Sequence, residues 1–398
     1  MESKTCFRGI SSILNCNEYA IYLSQILKRM GYYIHQKDNW PNFTWDNDEL
    51  INLLSEARNL QGRLIGKMES LGFELREEAF LETLTLDVLK SAEIEGELLN
   101  PEQVRSSIAQ RLGMEFAGAI MSDRNVDGMV EMMIDATRNC FKPLTTERLF
   151  DWHAALFPMG RSGIFKITVA DWRKDTSGQM QVVSGAAGRE NVHFQAPGAD
   201  LIEMEMNRFI KWVNEENKID LVIKAAIAHL WFVTIHPFQD GNGRITRALT
   251  DMLLAQSDKS TQRFYSMSAQ IRAERNEYYE ILEKTQKGDL DISEWIKWFL
   301  SCLINALIAT DKILTRVLFK ADFWSRNSKT IINERQKKAL NKILDEFEGK
   351  LTSMKWARIT KCSKDTAIRD INDLINKDIL QKESAGGRST YYELKMPN

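Results

Sequence analysis

Twelve consecutive residues, His236 to Arg247, bring together side chains suited to chemistry on phosphate groups. The run reads His-Pro-Phe-Gln-Asp-Gly-Asn-Gly-Arg-Ile-Thr-Arg. Its glycines permit positive φ and let the backbone come close to a ligand. His236 is a candidate general base, and Asp240 offers one hard oxygen ligand of the kind that Mg²⁺ takes beside phosphates.

The segments on either side of this run predict two core helices that hold it as a tight turn. Residues 221–235 are nearly all apolar and contain no glycine or proline, which indicates a helix buried on most sides. Amides that open the second helix have no partners within the helix and can bind anions. Because Arg244 and Arg247 add two positive charges to one face of that helix, the sequence predicts a polyphosphate cradle.

Two alternatives compete with this interpretation. Asp-Gly and Asn-Gly are common in hairpin turns, and a histidine or arginine pair beside a turn is usually structural. The helical flanks disfavour the hairpin. The run also resembles the Fic motif, histidine-proline-phenylalanine-x-acid-Gly-Asn-Gly-Arg-x-x-Arg, with every fixed position present. The resemblance, over about residues 33–318, implies a mainly α fold in which a helical Fic core carries a small β-hairpin flap.

This resemblance implies a protein adenylyltransferase that transfers AMP from ATP to a Ser, Thr or Tyr hydroxyl of a protein, including itself. His236 then takes the hydroxyl proton, Asp240 holds Mg²⁺, and Phe238 anchors the turn in the core. Amides of the turn and the Asn242 side chain are expected to bind anionic oxygens. The residues to which the resemblance assigns ATP contacts in this run are Asp240, Gly241, Asn242, Gly243, Arg244 and Arg247.

A second motif lies at the predicted C-terminal end of an earlier helix, residues 77–95. Glu95 follows the apolar stripe, so it is expected to face inward, and Gly96 is expected to end the helix. The alternative is a solvated glutamate in a run of three acids. Ser91-Ala92-Glu93-Ile94-Glu95-Gly96 resembles the Fic inhibitory motif, Ser/Thr-x-x-x-Glu-Gly/Asn. That likeness implies autoinhibition, with Ser91 and Gly96 as motif positions and Glu95 paired with Arg247 beside the ATP site.

Three short segments, 165–169, 181–184 and 191–195, are the main strand candidates. A hairpin beside a helical cradle can hold an extended peptide by strand addition, and the resemblance implies such a flap. We expect His193 to lie at the surface or to contact a target. Candidate ATP contacts from the flap and from a downstream helix are Asn191, Val192, His193, Phe194, Tyr278, Tyr279 and Gln286. Ordinary helix packing explains the tyrosines almost as well.

Composition indicates a soluble multidomain protein. Its 398 residues are 43% apolar, with no apolar run near the ~20 residues of a membrane span. The five cysteines are scattered without metal-like spacing, and no clear signal peptide is present, so a cytoplasmic location is expected. His153, in an apolar helix, is interpreted as structural.

We predict four segments: a poorly defined extension, 1–32; a helical N-terminal domain with the inhibitory helix, 33–118; a Fic catalytic domain, 119–318; and a winged helix-turn-helix, 326–398. A linker is expected at about Ala321 to Ser328. Further predicted helices cover 19–30, 48–71, 127–139, 145–157, 199–215, 274–286 and 293–319, and another helix, with Pro101 at N1, follows Asn100.

The C-terminal segment is the only part of the chain that invites a nucleic-acid hypothesis. Residues 320–398 hold 17 Lys+Arg and 11 Asp+Glu, a net charge of +6, whereas the remainder holds 36 and 44, a net charge of −8. DNA contact and protein docking carry equal weight, because acidic side chains such as Asp365, Asp370 and Asp373 counteract the attraction of the Lys and Arg side chains for phosphates. A second copy of the chain, in a homodimer, is a further candidate partner. The rival to an enzyme is a DNA-binding regulator whose Fic core senses nucleotide.

Overall fold

The computed structural model describes residues 33–114, 120–175, 178–185, 189, 191–216, 218–344, 347, 349–383 and 390–395. The predicted extension, the helix expected at 19–30 and the wing tip at 386–388 lie outside these residues. The fold is mainly helical, as predicted. Two compact units are present: one runs through Leu71 and from Phe80 to Thr310, and the other takes Gly72–Ala79 and Asp311 onward.

Helices dominate the first unit, and several begin at a side-chain cap, of which Asn100 was predicted. Asp46 accepts hydrogen bonds from the amides of Asp48 and Glu49, and Asn100 caps the helix that has Pro101 at its first position. In chain order the helices are α1 (Asn47–Glu69), α2 (Phe73–Ile94), α3 (Pro101–Arg111), α4 (Arg124–Arg138), α5 (Thr146–Leu156), α6 (Ile202–Asn214), α7 (Leu221–Ile235), α8 (Asn242–Asp258), α9 (Met267–Ala273), α10 (Arg275–Gln286) and α11 (Ser293–Arg326).

Helix α7 is the centre of the first unit, as its all-round apolar sequence predicts. Every residue from Val222 to Ile235 is buried. Trp295 of α11 packs against α7 and donates its indole N–H to the Ala226 carbonyl at 2.8 Å. Helices α4 and α5 cross so closely that a Cβ at Gly128 would lie 1.8 Å from the Ala155 carbonyl oxygen. A rigid helical frame therefore surrounds the turn at His236.

Short antiparallel hairpins complete the first unit. Strands β1 (Arg161–Ser162) and β2 (Phe165–Lys166) form one pair, and β3 (Gln181–Ser184) and β4 (Asn191–Gln195) form the other. The predictions for β3 and β4 are confirmed. The strand expected at 165–169 is wrong in extent, because only Phe165 and Lys166 find a partner strand.

The predicted linker at Ala321 to Ser328 is also wrong, since α11 continues to Arg326. Phe323 keeps the apolar spacing of the helix and packs into the core of the C-terminal unit, so the helix does not stop where the linker was expected. Within the described residues, no helix is both long and apolar enough to cross a membrane.

The C-terminal unit holds three further helices and one hairpin: α12 (Glu334–Leu344), α13 (Ser353–Thr360), α14 (Lys364–Asn376), β5 (Leu380–Lys382) and β6 (Tyr392–Leu394). Trp356 is fully buried at its core. Lys361, with φ of +52°, makes the turn between α13 and α14. These elements follow the order of a winged helix-turn-helix, an assignment that stays a prediction.

Candidate active site

The turn between α7 and α8 is closed by its own side chains. His236 ends α7 in the left-handed region, with φ of +53°, and Gly241 opens α8 with φ of +82°. Asn242 accepts a hydrogen bond from the Phe238 amide at 2.9 Å and donates one to the Phe238 carbonyl at 2.8 Å. The expectation that the Asn242 side chain binds anionic oxygens stays a prediction. Both of its polar atoms are used in clamping the turn.

Phe238 anchors the turn, as expected. Its ring is fully buried and stacks on the His153 ring, with centroids 4.2 Å apart. His153 accepts the Ala170 amide at Nδ1 (3.2 Å), while Nε2 lies 3.2 Å from the Asp240 carbonyl. Burial lowers the pKa of His153 to about 4, so the ring stays neutral. The interpretation of His153 as a structural histidine agrees with these contacts.

Arg173, which the sequence analysis missed, holds the backbone of the turn. Its side chain is buried, and Nε donates to the His236 carbonyl at 2.7 Å. The Arg173 amide donates to the Pro237 carbonyl at 2.9 Å, and Nη2 donates to the Pro197 carbonyl. No sequence signal marks Arg173, because it lies in a polar loop without periodicity.

His236 is prepared to accept a proton. Its Nδ1 lies 3.3 Å from the Val233 carbonyl, which assigns the ring proton to Nδ1 and leaves Nε2 with a lone pair. Burial, and secondly the positive charge of Arg173, lower the pKa of His236 from 6.5 to about 4. The imidazole is therefore neutral at pH 7.

Arg247 is enclosed by the end of α2. Its Nη2 lies 2.8 Å from Glu95 Oε1 and donates to the Ser91 carbonyl at 2.8 Å, while Nε donates to the Ser91 hydroxyl at 2.8 Å. Gly96, with φ of +83°, ends the turn that follows α2. A Cβ at Gly243 would lie 2.1 Å from Glu95 Oε1, so a glycine at 243 admits the glutamate.

The neighbouring acids of α2 are also paired. Glu93 lies 3.0 Å from Arg272, and Glu97 accepts two hydrogen bonds from Arg244 Nη1, at 2.9 and 2.8 Å. The sequence analysis missed Glu97. Its only signal was its place in the run of acids, two residues beyond Glu95 and just past the glycine.

Asp240 faces the open side of the turn. Its Oδ1 accepts the Gly241 amide at 2.6 Å, and its Oδ2 contacts the Ser162 hydroxyl. Among the described residues, no group of three or more His, Cys, Asp or Glu side chains could hold a metal ion. A single carboxylate beside a phosphate cradle fits Mg²⁺, which keeps waters and takes further ligands from substrate phosphates.

Two of the predicted nucleotide contacts on α10 are core residues. Tyr278 is 2% exposed, and its hydroxyl lies 3.0 Å from His229 Nε2. Gln286 is also buried and donates to the Thr234 hydroxyl at 3.1 Å. Both side chains are therefore engaged in the core, and contact between them and a nucleotide stays a prediction. Tyr279 keeps an exposed ring, with the Arg275 guanidinium 5.0 Å from its centroid.

The flap residues also divide into buried and exposed side chains. Phe194 is buried in a cluster with Tyr33, and its predicted contact with ATP stays a prediction. His193 links the flap to α10, with Nδ1 2.6 Å from Glu283 Oε2. Asn191 and Val192 are exposed on β4.

Comparisons with known proteins place the turn inside a matched domain. Residues 143–254 match the family model described as Fic/DOC family. Over these residues the chain carries a Fic/DOC domain. Residues 33–114, ahead of the Fic domain, match a model described as a domain of unknown function, DUF4172.

Curated relatives of the Fic domain include "Protein adenylyltransferase Fic" from Drosophila yakuba, 32% identical over 136 residues, and the same-named protein from Drosophila melanogaster, 31% identical over 136 residues. Each match covers 33% of this chain and 26% of the relative. A crystal structure of a Fic family protein from Desulfovibrio desulfuricans G20 has a TM-score of 0.51 and 20% identity, covering 90% of this chain and 99% of that one. That likeness shows the fold.

Proposed function

We propose that the Fic domain is a protein adenylyltransferase, which transfers AMP from ATP to a hydroxyl side chain of a protein. One observation carries the proposal: a neutral His236 lies at the edge of a turn whose next helix opens at Gly241, without a side-chain cap, and carries two buried arginines. This arrangement unites a proton acceptor with an anion cradle. The adenylyltransferase names of the Drosophila relatives support the same chemistry.

In the proposed reaction, the target hydroxyl oxygen attacks the α-phosphorus of ATP in line with the departing oxygen of pyrophosphate. A phosphorus–oxygen bond to the target forms, and the bond between the α-phosphorus and the bridging oxygen breaks. His236 Nε2 takes the hydroxyl proton. The Gly243 amide binds an anionic oxygen, the Gly241 amide does so once a phosphate oxygen replaces Asp240 Oδ1 as its acceptor, and Arg244 and Arg247 hold the outer phosphates.

Asp240 would hold Mg²⁺ across these phosphates, and the ion would neutralise charge on the departing pyrophosphate. Its carboxylate is 40% exposed on the open side of the turn, where such an ion could meet both protein and substrate.

We further propose that Glu95 inhibits the transfer. The side chain of Arg247 is 2% exposed, and its Nη2 is engaged by Glu95 and by the Ser91 carbonyl. A guanidinium held in this way cannot grip a terminal phosphate, so bound ATP would lie with its α-phosphorus misaligned for attack. Binding of ATP and catalysis are then uncoupled.

The test uses two labels. Purified protein is incubated with Mg²⁺ and either α-labelled or γ-labelled ATP, and labelled hydroxyl side chains are mapped by mass spectrometry. AMP transfer predicts label from the α position only. Label from the γ position would identify phosphoryl transfer instead, and ATP binding without any label would favour the nucleotide-sensing regulator.

We propose DNA contact as a second function, carried by α14 of the C-terminal unit. Two acids that oppose DNA in the sequence are engaged within the unit: Asp370 receives two hydrogen bonds from Arg335, both at 3.0 Å, and Asp373 pairs with Lys377. This leaves an exposed surface at the start of α14 whose charged members are Lys361, Lys364, Asp365 and Arg369. Within the described part of the chain, the basic side chains of Lys361, Lys364 and Arg369 take part in no ion pair.

A further inference from the structure

Arg244, the first arginine of α8, is held by an acid that the predicted inhibitory motif does not include. Nη1 donates to both carboxylate oxygens of Glu97, at 2.9 and 2.8 Å. The side chain of Arg244 is 5% exposed, whereas that of Glu97 is 49% exposed. The buried partner of this pair is fixed, and the exposed partner can leave.

The rest of the Arg244 guanidinium is incompletely satisfied. Nη2 lies 3.7 Å from Asp240, a distance too long for a direct hydrogen bond. Nε is buried, and no hydrogen-bond partner for it occurs among the described residues. The guanidinium also lies over the Phe157 ring, 5.0 Å from its centroid, which fixes its plane. A buried, oriented guanidinium with an unused donor is suited to an anion with several oxygens.

The chain places Glu97 over this guanidinium by a short, defined route. Glu95 ends on Arg247, Gly96 turns the backbone with φ of +83°, and Glu97 then reaches Arg244. A single turn at the end of α2 therefore delivers two carboxylates to the two arginines of the anion cradle. The two carboxylates occupy the arginine donors that outer phosphates would use.

We propose that Glu97 competes with the polyphosphate of the nucleotide for Arg244, and so sets the affinity for ATP. This inference rests on the proposed function, because it assigns a second carboxylate to the same nucleotide site. It differs from the role proposed for Glu95. Glu95 has its partner on the more deeply enclosed arginine and governs alignment, whereas Glu97 is half-exposed and can be displaced when a triphosphate binds.

The experiment measures dissociation constants for ATP by isothermal titration calorimetry. Turnover is prevented by placing every variant in a His236→Ala background. We expect Glu97→Gln to tighten ATP binding about fivefold, because removing a half-exposed charge partner of a guanidinium has an effect at the modest end of charge-assisted hydrogen bonds. Glu97→Ala, which also removes the remaining acceptor, should tighten it further.

The matched control is Glu102→Gln, which removes one negative charge from an exposed position in the first turn of α3. It should leave the ATP dissociation constant unchanged. Equal dissociation constants for Glu97→Gln and its parent would overturn the proposal. Equal tightening by Glu102→Gln would overturn it too, because the effect would then be one of overall charge.

Two further probes separate this inference from the proposed function. Inorganic tripolyphosphate should show the same tightening in Glu97→Gln, and adenosine should show none, because Arg244 meets only the phosphates. If tripolyphosphate responds but no α-label ever reaches a hydroxyl, the affinity role of Glu97 stands and adenylyl transfer fails. If α-label transfers but Glu97→Gln changes the dissociation constant of neither tripolyphosphate nor ATP, adenylyl transfer stands and the affinity role of Glu97 fails.

Discussion

The two ion pairs at the turn of the Fic domain bury their arginines, whereas one ion pair of the C-terminal unit buries its acid. In the Fic domain, the side chains of Arg244 and Arg247 are 5% and 2% exposed, and the glutamates that hold them are partly exposed. In the C-terminal unit, Asp370 is 6% exposed and its partner Arg335 is 48% exposed. The buried member is fixed by the fold, and the exposed member can be replaced by a ligand of the same charge.

This difference shows that net charge alone does not identify a binding surface. The C-terminal segment carries +6, but its suitability for an anionic partner depends on which acids are already engaged. The Fic domain lies in the acidic part of the chain, and its turn nevertheless presents two buried cations beneath replaceable carboxylates. A ligand therefore meets local ion pairs rather than the net charge of a segment.

The largest effect is expected at Glu95. Glu95→Gly should raise the rate of auto-adenylylation about 10- to 100-fold, because a charge-assisted hydrogen bond of ~1.5–3 kcal/mol no longer holds Arg247 away from the terminal phosphate. Binding of ATP should tighten much less. The measurement is the initial rate of α-label incorporation for wild type and variant.

The control for Glu95 is the double variant. Arg247→Ala should be inactive, and adding Glu95→Gly should not rescue it, since the phosphate grip itself is missing. Equal rates for wild type and Glu95→Gly would remove the inhibitory role, and Glu95 would then be a helix-end acid that happens to meet an arginine.

An intermediate effect, on DNA affinity, is expected from the exposed basic side chains of α14. Replacing Lys364 and Arg369 together by glutamine should weaken binding to duplex DNA about tenfold at low salt. The salt dependence should also become shallower, because fewer counterions leave the DNA when the protein contacts fewer phosphates. Asp365→Asn is the matched control and should strengthen binding. Fluorescence anisotropy at several salt concentrations measures both.

If the full chain binds no DNA, or if the double replacement leaves the affinity and salt slope unchanged, protein docking becomes the better account of the C-terminal unit. The comparison between the two units would then hold for burial but not for function.

The smallest effect concerns a buried acid in the first unit. Burial and the neighbouring charge of Asp251 raise the pKa of Asp87 to about 8, although Arg263 and hydrogen bonds involving Ser266 and Ser268 act in the opposite direction. The folded state therefore holds a proton on Asp87 that the unfolded state releases above about pH 4. Stability falls as pH rises through this window.

Asp87→Asn removes this dependence. We expect the melting temperature of the variant, relative to wild type, to increase by roughly 3 °C or more between pH 5 and pH 8. Titrating groups other than Asp251, whose charge acts on Asp87, are common to both proteins and cancel in the difference. A difference in melting temperature that stays constant across this range would show that Asp87 is ionised in the folded state.

The sequence predicted the helical frame and the turn between α7 and α8 because both depend on local patterns. The apolar run of α7, the glycines of the turn and the spacing of Arg244 and Arg247 are legible without a structure. The inward position predicted for Glu95 is correct only in part, because α2 ends at Ile94 and the Glu95 side chain contacts Arg247 but stays 32% exposed.

Contacts between distant segments were not predictable in this way. Arg173 reaches the His236 carbonyl from a loop 63 residues away in sequence, and no periodicity marks it. The burial of Tyr278 and Gln286 was not predicted, because a motif position does not reveal which side of a helix faces the core. The clamp made by Asn242 was not predicted, because an asparagine that clamps a turn and one that binds a ligand look alike in sequence.

The central claim is tested most directly by His236→Ala in the activated Glu95→Gly background, with α-labelled ATP and Mg²⁺. The account predicts that label incorporation falls at least about 100-fold, the lower range of general-base contributions, while the ATP dissociation constant changes little. Because the pKa of His236 is about 4, the rate in the parent should also show no loss from its protonation between pH 8 and pH 6. Incorporation at the parental rate in the His236→Ala variant would contradict the account.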